Sequence, residues 1–205
     1  MGAYENINNI QLDAMREIGN IGAGNACTAL SVLMGTAIDM SVPSIRLVDK
    51  ESAVEYFGGE DKVVLGLIVN ITDDLSGMMV HVVQKEFAER IINTFYPKQI
   101  DDTMVLDEMD ASVLNEMANI TSGAYANSLA SLTGFFVNIG TPSQKPGKLV
   151  DVMMLPIDEF VMPGEKLLIV DEVFTIDAEH LTSNMVLALD KQSMSKLFDK
   201  LGVSA

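Results

Sequence analysis

The chain contains its own copy. The stretch EIGNIGAGNACTALSVLMGTAIDMSVPS, which begins at Glu17, lies without a gap over EMANITSGAYANSLASLTGFFVNIGTPS, which begins at Glu116, an offset of 99 residues. Glu17/Glu116, Asn20/Asn119, Ile21/Ile120, Gly24/Gly123, Leu30/Leu129, Leu33/Leu132, Gly35/Gly134 and Pro43/Pro142 are identical pairs in this register. Further on, SGMMVHVVQKEFAERII from Ser76 lies over SNMVLALDKQSMSKLF from Ser183, with the offset widened to 107 by an insertion. A duplicated sequence builds one structural plan twice. The expectation is a single domain of two homologous halves, approximately 7–100 and 106–205, about a pseudo-twofold axis.

Each half opens with a helical pattern, Ile7–Met34 and Asp107–Thr133, that runs into Gly35 or Gly134, the residue type that ends helices in the left-handed conformation. Apolar runs predict strands at Ala37–Val42, Val63–Val69 and Met78–Val83, with a turn at Thr72-Asp73-Asp74. In the second half they fall at Phe135–Ile139, Leu149–Leu155, Lys166–Phe174 and Met185–Leu189. Short helices, Lys85–Phe95 and Gln192–Leu201, close the halves. Helices and strands with mostly short connections predict a mixed α/β (α+β) fold, with helices packed on an antiparallel-rich sheet.

Composition narrows the function. A chain of 205 residues, 48% hydrophobic and 20% charged, is a folded globular protein, neither disordered nor membrane-embedded. Its formal charge of −16 repels phosphate backbones and anionic lipid, which argues against nucleic acid and membrane partners. The single cysteine, Cys27, has no disulfide partner, and Cys and His residues are not spaced as a zinc site, so no metal or cofactor of its own is expected. Met1–Gln11 lacks a basic segment followed by an apolar one, so the expected location is cytoplasmic.

At about 100° per residue, Asp13, Glu17, Asn20 and Gly24 fall within one narrow stripe of the first helix. Ser112, Glu116, Asn119 and Gly123 occupy the same angles on the second. Beside the stripe run the expected core positions Ile10/Met109, Ala14/Val113, Ile18/Met117 and Ile21/Ile120. A carboxylate and a carboxamide three residues apart project together, next to a glycine that permits close approach of another backbone. The stripe holds no nucleophile and no histidine base, and Cys27 lies over Ala126 in the repeat. An acid and an amide suit a division of labour in which Glu pairs with a partner's cation and Asn orients a water. The plain alternative is a solvated helix face on which Glu and Asn bond each other.

The pattern Asp or Ser, three residues, Glu, two residues, Asn, present as D-AMR-E-IG-N at Asp13–Asn20 and S-VLN-E-MA-N at Ser112–Asn119, resembles the CheC family of chemotaxis phosphatases. The resemblance covers nearly the whole chain. The related CheX proteins have one such motif and FliY-type switch proteins add other segments, so neither describes this chain as well. It implies hydrolysis of the aspartyl phosphate on the response regulator CheY. Glu17 and Glu116 would pair with the regulator's lysine, Asn20 and Asn119 would place the attacking water, and the regulator would bring its own Mg2+. Asp13 and Ser112 would tune the helix or touch the partner. The family also implies a second partner, the deamidase CheD, for which the Ala/Ser-rich segment Ser122–Ser131 is the nominated surface; small residues that permit close helix packing are the competing account.

Two other classes stay open: a flagellar or chemotaxis interaction module that binds without turnover, and a structural duplicated domain whose stripe is buried. His81, in an apolar strand, and His180, in a polar loop, read as structural or solvated, as do the acid pairs Asp73-Asp74 and Asp101-Asp102. Met109 and Met117 read as core packing, and Gly22 and Gly24 as sites of close packing or a bend.

Overall fold

The computed structural model describes residues 7–41, 43–160 and 166–204. Its elements run α1 (Asn9–Met34), β1 (Ile38–Met40), β2 (Ser44–Val48), α2 (Lys50–Tyr56), β3 (Val63–Asp73), β4 (Gly77–Val83) and α3 (Lys85–Asn93). The same order then recurs as α4 (Glu108–Thr133), β5 (Val137–Ile139), β6 (Ser143–Lys148), α5 (Leu149–Phe160), β7 (Leu167–Ile176), β8 (Glu179–Leu189) and α6 (Lys191–Lys200). The long helices start where side chains satisfy their free amides. Asn8 and Gln11 exchange backbone and side-chain bonds of 3.0 Å in a capping box. Asp107 accepts from the amides of Met109 and Asp110, also at 3.0 Å. Both helices end on a left-handed glycine, Gly35 at φ 64° and Gly134 at φ 72°, as the sequence predicts.

All eight strands join one antiparallel sheet in the order β1-β7-β8-β4-β3-β5, with β2 also on β7 and β6 also on β3. The halves therefore exchange strands. β1 and β2 of the first half extend the second half's hairpin, and β5 and β6 of the second extend the first half's hairpin. Val80 of β4 faces Val186 of β8 across the centre of the sheet. Every residue of β4 is buried, as expected of a strand covered on both faces. On one face Val152 of α5 closes over Gly66, where a β-carbon would lie 2.8 Å from it. The alternating residues Leu65 and Leu67 pack with Leu30 of α1 and with Leu114 and Met117 of α4.

The long helices pack antiparallel. Met15 and Ile18, early in α1, share a buried cluster with Tyr125 and Leu129, late in α4. Leu30 and Met34, late in α1, share another with Leu114, Met117 and Ala118, early in α4.

Four sequence expectations are corrected. Leu149–Leu155 is part of helix α5: the run is short and apolar but for Asp151, so periodicity could not distinguish helix from strand, and Leu149, Val152, Met153 and Pro156 are the buried positions, at helical spacing. Strands β2 and β6 and helix α2 were not foreseen, because SIRLV and SQKPGK are short and half polar and KESAVEY buries only Ala53 and Val54. β3 continues through Thr72 and Asp73, so the turn begins at Asp74. Finally, Ile10 and Met109 are not core: they are 66% and 64% exposed, and the first turn of each helix buries the next residue instead, Gln11 and Asp110. Ile18 and Met117 are buried as expected. Val42, at the end of the first predicted strand, lies outside the described residues.

Candidate functional site

On α1, Met15, Ile18, Gly22 and Ala26 turn inward, which leaves Asp13, Glu17, Asn20 and Gly24 exposed. On α4, Leu114, Met117 and Ala118 turn inward and Ser112, Glu116 and Asn119 are exposed, with Gly123 half-buried. The side chains of Glu17, Asn20, Glu116 and Asn119 make no hydrogen bond or ion pair with any other described residue. The Glu–Asn bond of the plain alternative is thus not formed. Among the described residues both pairs stand open. Asp13 differs from Ser112 in being tied down, by an ion pair with Arg16.

Both motifs occupy the N-terminal halves of antiparallel helices, so they lie toward opposite ends of the helix pair. Glu17 and Asn20 do not converge with Glu116 and Asn119 on one centre. The structure presents two separate two-residue stations.

The second station flanks an open groove of about 530 Å³ lined by Ser112, Asn115, Glu116 and Asn119 on one side and the Ile139–Pro142 connection on the other. That wall is anchored in the opposite half: Ile139 pairs with Ile71, Ser143 pairs with Ile68, and the Gly140 amide donates to the Asn70 carbonyl at 2.8 Å. In the first half the Ser41 amide donates to the Val173 carbonyl at 2.9 Å in the same manner. The strand exchange therefore makes each station depend on both halves, which a repeat alignment does not reveal.

A β-carbon on Gly24 would meet nothing within 4 Å. No described part of the chain makes a close approach there. Gly22 is the packing glycine, with the Tyr125 ring 3.0 Å from such a carbon. Within the nominated segment Ser122–Ser131, Ser122, Ala124, Tyr125, Ala126, Ser128 and Leu129 are buried, where small residues let α4 sit close to α1 and the sheet, and only Asn127 and Ser131, with half-buried Gly123 and Ala130, face outward. His81 is buried, its Nε2 2.8 Å from Ser122 Oγ, and His180 pairs with Thr175 at the surface, so both have structural surroundings. Sequence reasoning passed over Asn115 and Gln144, which meet beside the groove at 3.0 Å. The difference between Asn115 and its mate Arg16 was the available signal.

Among the described residues no three His, Cys, Asp or Glu side chains gather as a metal site, and no helix is long and apolar enough to cross a membrane. An exposed carboxylate beside an exposed carboxamide can pair with a cation and orient a water. It cannot by itself form a covalent intermediate through Ser, Cys or His.

The duplicated fold with its paired helix motifs defines a class that comparison identifies. The CheC-like family model matches residues 10–46 and 109–145, the two segments that carry the stations. The CheY-P phosphatase CheC of Bacillus subtilis (strain 168) is 32% identical over 209 residues, covering 100% of both chains. The chain belongs to the CheC-like family. The solved structure of Thermotoga maritima FliY superposes with a TM-score of 0.71 at 22% identity, covering 97% of this chain and 99% of that one. A FliG-FliM complex from H. pylori gives 0.71 at 11% identity, covering 92% and 100%. At such identities these two structures report the shared fold alone.

Proposed function

We propose that this chain is a phosphatase of chemotaxis that hydrolyses the aspartyl phosphate of phosphorylated CheY, with Glu17/Asn20 and Glu116/Asn119 as two catalytic stations. The observation that carries this reading is that both Glu–Asn pairs stand exposed on their helices, their side chains unpartnered among the described residues, in a chain 32% identical end to end to a CheY-P phosphatase. Each glutamate would pair with the regulator's active-site lysine and so fix the docking angle. Each asparagine would accept a hydrogen from a water through Oδ1 and aim its oxygen at phosphorus, in line with the departing aspartate. A carboxamide is too weak a base to take the proton. Its contribution is therefore orientation, which alone is worth several powers of ten when the attack geometry is right. Mg2+ would come with the regulator and balance the charge of the phosphoryl oxygens.

Because the stations lie toward opposite ends of the helix pair, each would serve its own regulator molecule. CheD belongs to this reading as a second partner, and the cytoplasm as the place where the protein meets both. The competing reading, an interaction module that binds CheY without turnover, shares the fold with flagellar switch proteins. Turnover separates the two. With phosphorylated CheY in large molar excess, the proposal expects accelerated loss of the entire phosphorylated pool; a change confined to one equivalent of CheY per station would establish the binding module instead.

A further inference from the structure

Although the two stations share their glutamate and asparagine, they are held differently. In the first half the residue before the glutamate is Arg16, which turns outward to Asp13. The β2 residue beneath that helix is Ile45, whose Cδ1 would lie 3.3 Å from a β-carbon on Gly19. This is a close apolar seat. In the second half the corresponding positions, offset by 99, are Asn115 and Gln144. Gln144 of β6 donates through Nε2 to the Ala111 carbonyl at 2.9 Å and to Asn115 Oδ1 at 3.0 Å. It thus grips α4 one residue before Ser112 and one residue before Glu116. Gln144 is itself registered opposite Leu67 in the first half's hairpin. The brace therefore ties the motif helix to the sheet that also carries the Ile139–Pro142 wall of the groove.

We infer that Gln144, acting through Asn115, is a positioning residue of the second station alone, fixing the Ser112–Asn119 turns against the groove wall while the first station relies on the Ile45 seat. The inference rests on the functional reading above. With Oδ1 engaged by Gln144, Asn115 has its Nδ2 donors free to serve the groove it lines, which suits the oxygen-rich surroundings of a phosphorylated carboxylate.

The test uses Gln144→Ile, which installs the residue the first half already carries at this position, and follows decay of phosphorylated CheY in two backgrounds. With Asn20→Ala, only the second station works; here the substitution is expected to lower kcat about threefold to tenfold, with KM changed by less than about twofold, as for lost alignment at retained binding. With Asn119→Ala, only the first station works, and the rate is expected to be unchanged. Asn115→Ala, at a half-buried helix position that tolerates alanine, is expected to give the same selective loss and serves if Gln144→Ile does not fold. Equal loss in both backgrounds, or loss in neither, overturns the inference while decay still depends on the asparagines. If Asn20→Ala/Asn119→Ala decays CheY phosphate as fast as wild type, the functional reading falls and takes this inference with it.

Discussion

The ring of Tyr125 lies directly over Gly22: a β-carbon there would be 3.0 Å from Cγ and Cδ1 and 3.3 Å from Tyr125 Cα. Relief would require moving a helix backbone, because Tyr125 is itself buried and bonded to Glu172. Gly22→Ala is therefore expected to cost about 1–3 kcal/mol in overpacking, against about 1 kcal/mol gained in helix propensity. Gly24 provides the contrast. Nothing lies within 4 Å of its missing β-carbon, so Gly24→Ala is expected to stabilise by about 0.5–1 kcal/mol. Thermal melts of the two variants should move in opposite directions. A matching shift in both would refute the assigned roles.

Two buried titratable groups act oppositely on stability. Burial lowers His81 to about 4, so the unfolded chain takes up its proton first as pH falls, and stability present above about 6.5 is lost on the way down to about 4. Burial raises Glu172 to about 7, so the unfolded chain releases its proton first as pH rises, and stability present below about 4.5 is lost on the way up to about 7. Glu172 Oε1 accepts from the Tyr125 hydroxyl, which burial and this carboxyl push well above its ordinary value, while Oε2 has no partner among the described residues. Glu172→Gln keeps an acceptor for Tyr125 and removes the ionisation. In urea unfolding, the stability of the variant relative to wild type should rise by roughly 3 kcal/mol between pH 4.5 and pH 7. Parallel pH profiles would contradict this account of Glu172.

Ile10 and Met109 are matched large apolar side chains, 66% and 64% exposed, one turn before Asp13 and Ser112. Replacing either with Gln should change folding stability by no more than about 0.5 kcal/mol, the usual range for a surface site. A melting temperature several degrees lower would instead restore them to the core.

With a net charge of −16, docking to a regulator gains nothing from long-range steering and depends on local complementarity. Affinity for CheY measured across salt concentrations should stay nearly flat or weaken at very low salt. A steep rise at low salt would point to a basic partner surface instead.

Much of this was legible in the residues. The 99-residue offset exposed the duplication, and Gly35 and Gly134 marked both long-helix ends, because a glycine meets the left-handed cap without cost. The exposed stripe of Glu17 and Asn20 followed from helical spacing alone. The strand exchange was hidden, since β2 pairs with Leu167–Asp171 and not with its own half, and pairing partners across more than a hundred residues leave no local pattern. Helix α5 was hidden because LVDVMML is short and apolar except for Asp151, too little polarity to mark a helical face. At the site, the Gln144 brace escaped notice because it joins two neutral amides 29 residues apart, neither part of the repeated motif.

The central claim is that Asn20 and Asn119 orient the attacking water at two separate stations. The most direct measurement is decay of phosphorylated CheY, after removal of its phosphodonor, in the presence of wild type, Asn20→Ala, Asn119→Ala and the double variant, with CheY binding measured alongside. The account predicts accelerated decay by wild type, a partial loss with each single change and return to the spontaneous rate with the double, binding being retained throughout. Decay by the double variant as fast as by wild type would contradict it.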